Sequence, residues 1–289
     1  MMLQLGSVAT EWVPSKYDNP DIVALNDEAD MTLKMQELNR VTRIVGIDYG
    51  PPTFCLLHFS DIHGCRAPLE NIVRFANHYA SYIDDVLHTG DAVYHQKIDG
   101  LTFWNDVPGS ENILNVVGNH DTRANGSWVG VDLQTTYDTY FAPYIANWGC
   151  VYTPGKTYYY KDYPEKNIQL IVLDVMHEPD VQLVWFQGVL ESTLEAGYHV
   201  IVACHTRAQA LVNPYRTAWD DHTVATREYN DNMTSRTLDP TGATYPNNLP
   251  DGYAQAVDDF IDGGGYFVAY LHGHTHYRMF ARLSAHPRQ

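Results

Sequence analysis

Basic residues are scarce in this chain of 289 residues, in which 18 Lys and Arg stand against 35 Asp and Glu to give a formal net charge of −17. Nucleic-acid binders take most of their affinity from Lys and Arg on phosphates, so this deficit argues against stable nucleic-acid binding. Long apolar runs are lacking too, and none approaches the ~18 residues needed to span a bilayer. The sequence therefore predicts no association with a membrane.

Cysteine is also rare, and the four cysteines include no C-x-x-C pair; they are Cys55, Cys65, Cys150 and Cys204. So few cysteines at irregular spacing exclude a disulfide scaffold. Reduced thiols are usual in the cytoplasm, and the N-terminus lacks the basic and apolar stretches of a secretory signal. We expect a cytoplasmic protein, although a mature secreted form whose signal had been removed would share these features.

Apolar residues make up 45% of the chain and aromatic residues 12%, which suffices for a large core. Short apolar runs predict buried strands at 54–59, 86–88, 113–117, 168–173, 200–203 and 266–271. Amphipathic stretches between them predict helices at 68–79, 181–196 and 254–261. This alternation is typical of an α/β fold.

Two segments differ from this rhythm. Residues 1–50 are polar, with a helix predicted at 27–40 and a strand at 43–47, and we expect them to form an N-terminal extension that packs on a domain spanning 51–289. Residues 208–250 are rich in Pro, Thr and Asn without a sustained period. Such a long irregular insertion is either a lid that selects the substrate or a peripheral loop.

Polar residues with metal-binding side chains follow five of the predicted strands. In chain order these motifs are Asp61-x-His63, Gly90-Asp91, Gly118-Asn119-His120-Asp121, His205 and Gly273-His274-x-His276. Ligands of α/β proteins bind at the carboxyl ends of strands, so we expect the five motifs to surround one cavity. Imidazole together with oxygen ligands suits Mn, Fe, Zn, Ni or Co.

The ordered set resembles that of the calcineurin-like metallophosphoesterases and covers roughly residues 53–280. The resemblance implies a four-layer α/β/β/α sandwich with two mixed β-sheets and two divalent transition-metal ions at the strand ends. It implies that the first ion is held by Asp61, His63, Asp91 and His276. It implies that the second ion is held by Asp91, Asn119, His205 and His274. The chain ends soon after His276, so we expect the second sheet to lack some C-terminal strands, to gain a closing strand from residues 277–283, or to be completed by residues 1–50.

The resemblance also implies a mechanism for hydrolysis of a small phosphate ester. Two ions bridged by Asp91 would polarise the phosphoryl oxygens and generate a bridging hydroxide that attacks phosphorus. His120 would then act as a general acid. Asp121 either orients His120 or is a solvent-facing turn residue.

Several alternatives are open at this point. The substrate is either a phosphomonoester or a phosphodiester. The same metal ligands would also serve an enzyme that cleaves the pyrophosphate bond of a nucleotide or sugar nucleotide. A third alternative is a metal-binding module that is not an enzyme. Around the motifs, Arg123 and Arg207 would clamp a phosphate or be solvated, and Tyr94 and His95 would line the pocket or lie at the surface. His272 would be a metal ligand or would serve in packing or in support of the ligands.

Overall fold

The computed structural model describes residues 2–4, 54–93, 104–122, 132–208 and 249–274. The helix and strand predicted at 27–40 and 43–47 lie outside the described residues, as does nearly all of the predicted insertion at 208–250. The predicted division of the chain at residue 50 therefore stays a prediction.

The first β-sheet carries three of the five motifs at its strand ends. Its strands, in the order β1-β2-β3-β4, are β1 (Met2–Gln4), β2 (Cys55–Phe59), β3 (Asp85–His88) and β4 (Leu114–Asn115). Strand β1 pairs antiparallel with β2, whereas β2, β3 and β4 are parallel. Helix α1 (Arg66–His78) joins β2 to β3 and buries Leu69 and Val73. It begins two residues before the predicted start at Pro68, which is tolerated in the first turn of a helix.

The second β-sheet carries the other two motifs. Its strands, in the order β5-β6-β7-β8-β9, are β5 (Val151–Tyr152), β6 (Tyr159–Tyr163), β7 (Ile168–Leu173), β8 (His199–Cys204) and β9 (Tyr266–Leu271). Strands β5 and β6 pair antiparallel with their neighbours, and β7, β8 and β9 are parallel. Helix α3 (Pro179–Ala196) joins β7 to β8, and α4 (Asp251–Asp262) precedes β9.

A short helical region that lies between β4 and β5 along the chain was not predicted from the sequence. Helix α2 (Leu133–Thr136) is capped by Asp132, whose carboxylate accepts a hydrogen bond from the backbone of Thr135 at 2.8 Å. It continues as a wider helical turn at Tyr137–Phe141. Single 3₁₀ turns lie at Ser110–Asn112, Ile145–Asn147 and Pro164–Lys166.

Alternate residues of β7 contribute to two different parts of the core, because successive side chains of a strand point to opposite faces. Leu170 lies in a buried cluster that also contains Leu87 of the first sheet. Ile171 lies in a second cluster with Phe186 of α3 and Val257 of α4. The fold is therefore α/β with two mixed sheets, as predicted. None of the helices in the described residues is long and apolar enough to cross a membrane.

Candidate metal centre

The predicted ligands lie on tight turns directly after the strands. Strands β2, β3 and β9 lead into Asp61, Asp91 and His274, whose φ angles are 56°, 57° and 70°, and His63 has a φ of 45°. Left-handed backbone costs a non-glycine residue roughly 1–2 kcal/mol. Such strain is concentrated at functional sites, where the surrounding structure holds it in place.

Backbone hydrogen bonds join these turns to one another. Asp61 donates its N–H to the carbonyl of Gly90 at 3.0 Å, and His63 donates to the carbonyl of Asp91 at 3.0 Å. The turn after β9 is attached in turn, since the N–H of His274 lies 3.0 Å from both carboxylate oxygens of Asp61. The carboxyl ends of the two sheets therefore meet at one place.

Asp91, His205 and His274 form one group whose ligand atoms all lie within 4.8 Å of one another. The His205 Nε2 atom is 3.3 Å from Asp91 Oδ2. Asn119 belongs to the same place, because its Oδ1 lies 3.0 Å from His205 Nε2 and 2.8 Å from His274 Nδ1. All four predicted ligands of the second ion are thus adjacent.

His63, Asp91 and His120 form another group within the same 4.8 Å limit. The Nε2 atoms of His63 and His120 each lie 4.0 Å from Asp91 Oδ2, and the two rings are perpendicular with centroids 4.9 Å apart. Asp61 Oδ1 lies 4.0 Å from His63 Nε2. Asp91 is common to both groups. His120 lies in the group with His63, although it was not predicted to be a metal ligand.

The tautomer of His205 tests whether a cation fits between these groups. Its Nδ1 lies 2.8 Å from the carbonyl oxygen of Thr89, which can only accept a hydrogen bond, so Nδ1 carries a proton. In the neutral ring, Nε2 then presents a lone pair toward the oxygens of Asp91 and Asn119. Three electron-rich atoms facing one another are stabilised by a cation between them, either a proton on Nε2 or a metal ion.

The electrostatics of the buried ligands agree with a cation site. Burial lowers the pKa of His205, but the neighbouring Asp91 carboxylate outweighs burial and raises the pKa to about 10. Burial also opposes ionisation of Asp91, yet His205 and His120 hold the pKa of Asp91 well below its usual range. His274 stays neutral, because burial and then His205 lower its pKa to about 3. Without a metal ion, a proton on His205 fills the role of the cation.

Asp121 is completely buried, so the solvent-facing alternative is wrong. Its carboxylate accepts hydrogen bonds from the backbone N–H groups of Asp91, Gly118 and Val93 at 2.9, 2.8 and 3.1 Å. Burial first, and then the charge of Asp91, raises the pKa of Asp121 to about 7. The Asp121 side chain therefore fixes the backbone of neighbouring turns and does not lie at the surface.

The remaining candidates divide between described and undescribed residues. Arg207 is 3% exposed, which contradicts a solvated arginine, and the Nδ1 atom of His272 lies 2.9 Å from the carbonyl oxygen of Gly273. His276, Arg123, Tyr94 and His95 lie outside the described residues.

Two residues beside the predicted ligands, Thr89 and His58, were not predicted from the sequence. Thr89 fixes His205 through its backbone carbonyl, and its hydroxyl lies 2.8 Å from His58 Nε2. A backbone acceptor leaves no mark in a sequence. The only available signal was that two polar residues, His58 and Thr89, lie within or beside apolar strands.

Comparison of the chain with models of known protein families finds no match, and comparison with curated proteins finds none. The function is therefore inferred from the order of the motifs and from the geometry of the site.

Proposed function

We propose that this protein is a metal-dependent phosphoesterase of the calcineurin-like type that hydrolyses a small phosphomonoester or phosphodiester. The observation that carries the proposal is the pair of His/Asp groups that share Asp91 at the carboxyl ends of the strands. A shared carboxylate suits two-metal hydrolysis, because it can hold two cations ~3.5–4 Å apart. The two buried clusters also support the finer architecture, a four-layer α/β/β/α sandwich.

The proposed metal ligands follow from the motifs and from the two groups. Asp61, His63, Asp91 and His276 would hold one ion. Asp91, Asn119, His205 and His274 would hold the other. Their imidazole nitrogens and oxygens suit Mn, Fe, Zn, Ni or Co, and bound ions of this kind would polarise a phosphoryl oxygen and acidify a water molecule.

Among the described residues of the site, His120 is well placed to donate a proton. Its backbone N–H donates to Asp91 Oδ1 at 2.8 Å, which fixes the residue beside the shared carboxylate. Its side chain is 28% exposed, whereas that of Asp91 is 1% exposed, so the ring borders the open side of the site. A general acid at this position would protonate the leaving oxygen, a role that typically contributes about 10²–10⁴-fold to the rate.

The charge of the protein favours small substrates over long polyanions. A net charge of −17 repels a polyanion along its whole length. Divalent cations at the site would make the cavity locally positive, so a compact phosphate ester would be held there after passing the acidic exterior.

The proposal is tested with a substrate panel and with a variant. An aryl phosphomonoester, an aryl phosphodiester and a nucleoside diphosphate are assayed with Mn²⁺, Ni²⁺ or Zn²⁺, and bound metal is measured by elemental analysis. Turnover of an aryl ester is expected. Turnover of the diphosphate alone would favour the pyrophosphate-bond hydrolase, and metal binding without any turnover would leave a binding module.

His120→Ala then separates the proton donor from a metal ligand. We expect this variant to keep its metal content and to lose about 10²–10⁴-fold in turnover. His78→Ala is the matched control, because His78 is an exposed histidine at the end of α1. Unchanged turnover in His120→Ala would contradict the general-acid role, and loss of one ion would make His120 a ligand.

A further inference from the structure

The Asp121 carboxylate joins two of the motif turns. Its Oδ2 atom accepts hydrogen bonds from the N–H groups of Asp91, in the turn after β3, and Gly118, in the turn after β4. Its Oδ1 atom accepts a third hydrogen bond from Val93. Three backbone donors from two chain segments thus converge on one side chain that is completely buried.

Each of the two turns donates a backbone hydrogen bond to an aspartate side chain of the other turn. While Asp121 receives the N–H of Asp91, the Oδ1 atom of Asp91 receives the N–H of His120 at 2.8 Å. Asp121 is itself fixed from α2, because the Thr136 hydroxyl donates to its backbone carbonyl at 2.9 Å. Asp91 therefore has both its left-handed backbone and its carboxylate determined by the turn after β4.

We propose that Asp121 is a positioning residue that holds Asp91 where its carboxylate can be shared by both His/Asp groups. The inference rests on the metal centre of the proposed function and does not require that centre to be catalytic. Because Asp91 is the one member common to the two groups, a loss of its orientation should weaken metal binding in both at once.

The chemistry of the side chain explains why we expect an amide to replace it poorly. Asparagine has a single acceptor oxygen, whereas Asp121 uses both of its oxygens. If the amide oxygen of a substituted asparagine took the Oδ2 position, its NH₂ group would face the N–H of Val93. If that oxygen took the Oδ1 position, the NH₂ group would face the N–H groups of Asp91 and Gly118.

The experiment is calorimetric titration of Mn²⁺ into the full chain and into Asp121→Asn, at a temperature where circular dichroism shows both to be folded. Residues that orient metal ligands typically contribute about 10–100-fold in metal affinity, so we expect a weakening of this size in both binding steps. Wild-type affinity in Asp121→Asn would overturn the proposal.

Asp85→Asn is the matched control for a general loss of stability. Asp85 is a partly buried carboxylate at the opposite end of β3, where it pairs with Lys161 and accepts a hydrogen bond from Tyr163. This variant should melt at a lower temperature and bind Mn²⁺ as the wild type does. If it weakens Mn²⁺ binding as much as Asp121→Asn, the effect is one of stability and the proposal is wrong.

Thr136→Val serves if Asp121→Asn does not fold. It keeps the shape of the side chain and removes only the hydrogen bond to the backbone of Asp121, so we expect weaker Mn²⁺ binding, by less than tenfold; unchanged binding would overturn the proposal. A wild-type protein that binds Mn²⁺ without hydrolysing any ester would refute the proposed function and leave this inference intact. If the wild type hydrolyses an ester and Asp121→Asn binds Mn²⁺ normally, the proposed function stands and this inference is wrong.

Discussion

Gly118 packs directly against Asp91 in the candidate centre, and adding one methyl group there is a severe perturbation. A Cβ atom at Gly118 would lie 2.2 Å from both the backbone nitrogen and the Oδ1 atom of Asp91. Heavy atoms that are not bonded pack at ~3.5 Å or more, so Asp91 would have to move by roughly 1 Å. Overpacking of this kind costs about 1–3 kcal/mol of stability. A misplacement of about 1 Å in a catalytic site can cost ~10²-fold in rate.

Two other glycines provide controls for Gly118→Ala. Gly188 lies in α3 with no atom within 4 Å of a Cβ, so Gly188→Ala should stabilise the protein by about 0.5–1 kcal/mol. Gly197 ends α3 with a φ of 74° and equal space, so Gly197→Ala should cost about 1–2 kcal/mol through backbone strain alone. Both should bind Mn²⁺ normally.

The assays for this series are urea unfolding, Mn²⁺ titration and turnover of an aryl phosphate. Only Gly118→Ala should lose metal affinity and turnover together with stability. Gly197→Ala is the decisive comparison, because its loss of stability should be similar while its site stays intact. Normal Mn²⁺ binding and turnover in Gly118→Ala would refute the reasoning.

Three further predictions concern the thiols, a buried amide and metal removal. At pH 8 an aromatic disulfide reagent should label the exposed Cys65 first. Burial raises the pKa of Cys55 to about 11 and that of Cys150 to about 12, so these two thiols have less reactive thiolate at that pH. Equal labelling rates would contradict this prediction. Gln182→Ala should lower stability by about 1–3 kcal/mol without weakening Mn²⁺ binding, because the Gln182 amide bonds both backbone groups of buried Asp174. A chelator should lower the melting temperature of the metal-loaded protein, and added Mn²⁺ should restore it. The loss of stability should be about 2.7 kcal/mol if free metal was at 100 times its Kd.

Continuous apolar runs made part of the fold predictable. The runs at 168–173 and 266–271 match β7 and β9, because these strands are apolar at every position except Gln169. Strand β6 was missed because Lys161 and Asp162 interrupt its apolar pattern, although the antiparallel pairing with β7 holds it in the sheet. Strand β5 has only two residues, too few to form a pattern.

The candidate site divides in a similar way. Its side chains were predictable, because short motifs placed His and Asp directly after apolar runs. The contacts that orient those side chains were not predictable, because one partner in each of them is a backbone group. The carbonyl of Thr89 reaches the ring of His205 across 116 residues of chain, and the carboxylate of Asp121 accepts the N–H of a turn that belongs to another motif. Such contacts depend on how the two sheets meet.

The group at Asp91, Asn119, His205 and His274 has a consequence for the choice of metal. The first sheet supplies its oxygens from Asp91 and Asn119, and the second sheet supplies its nitrogens from His205 and His274. The oxygens alone form the kind of site that suits Mg²⁺ or Ca²⁺, and only the added imidazoles favour zinc, nickel or iron. At this group, any preference for a transition metal would therefore depend on the junction between the sheets, because separated sheets would keep the oxygens of Asp91 and Asn119 apart from these two imidazoles.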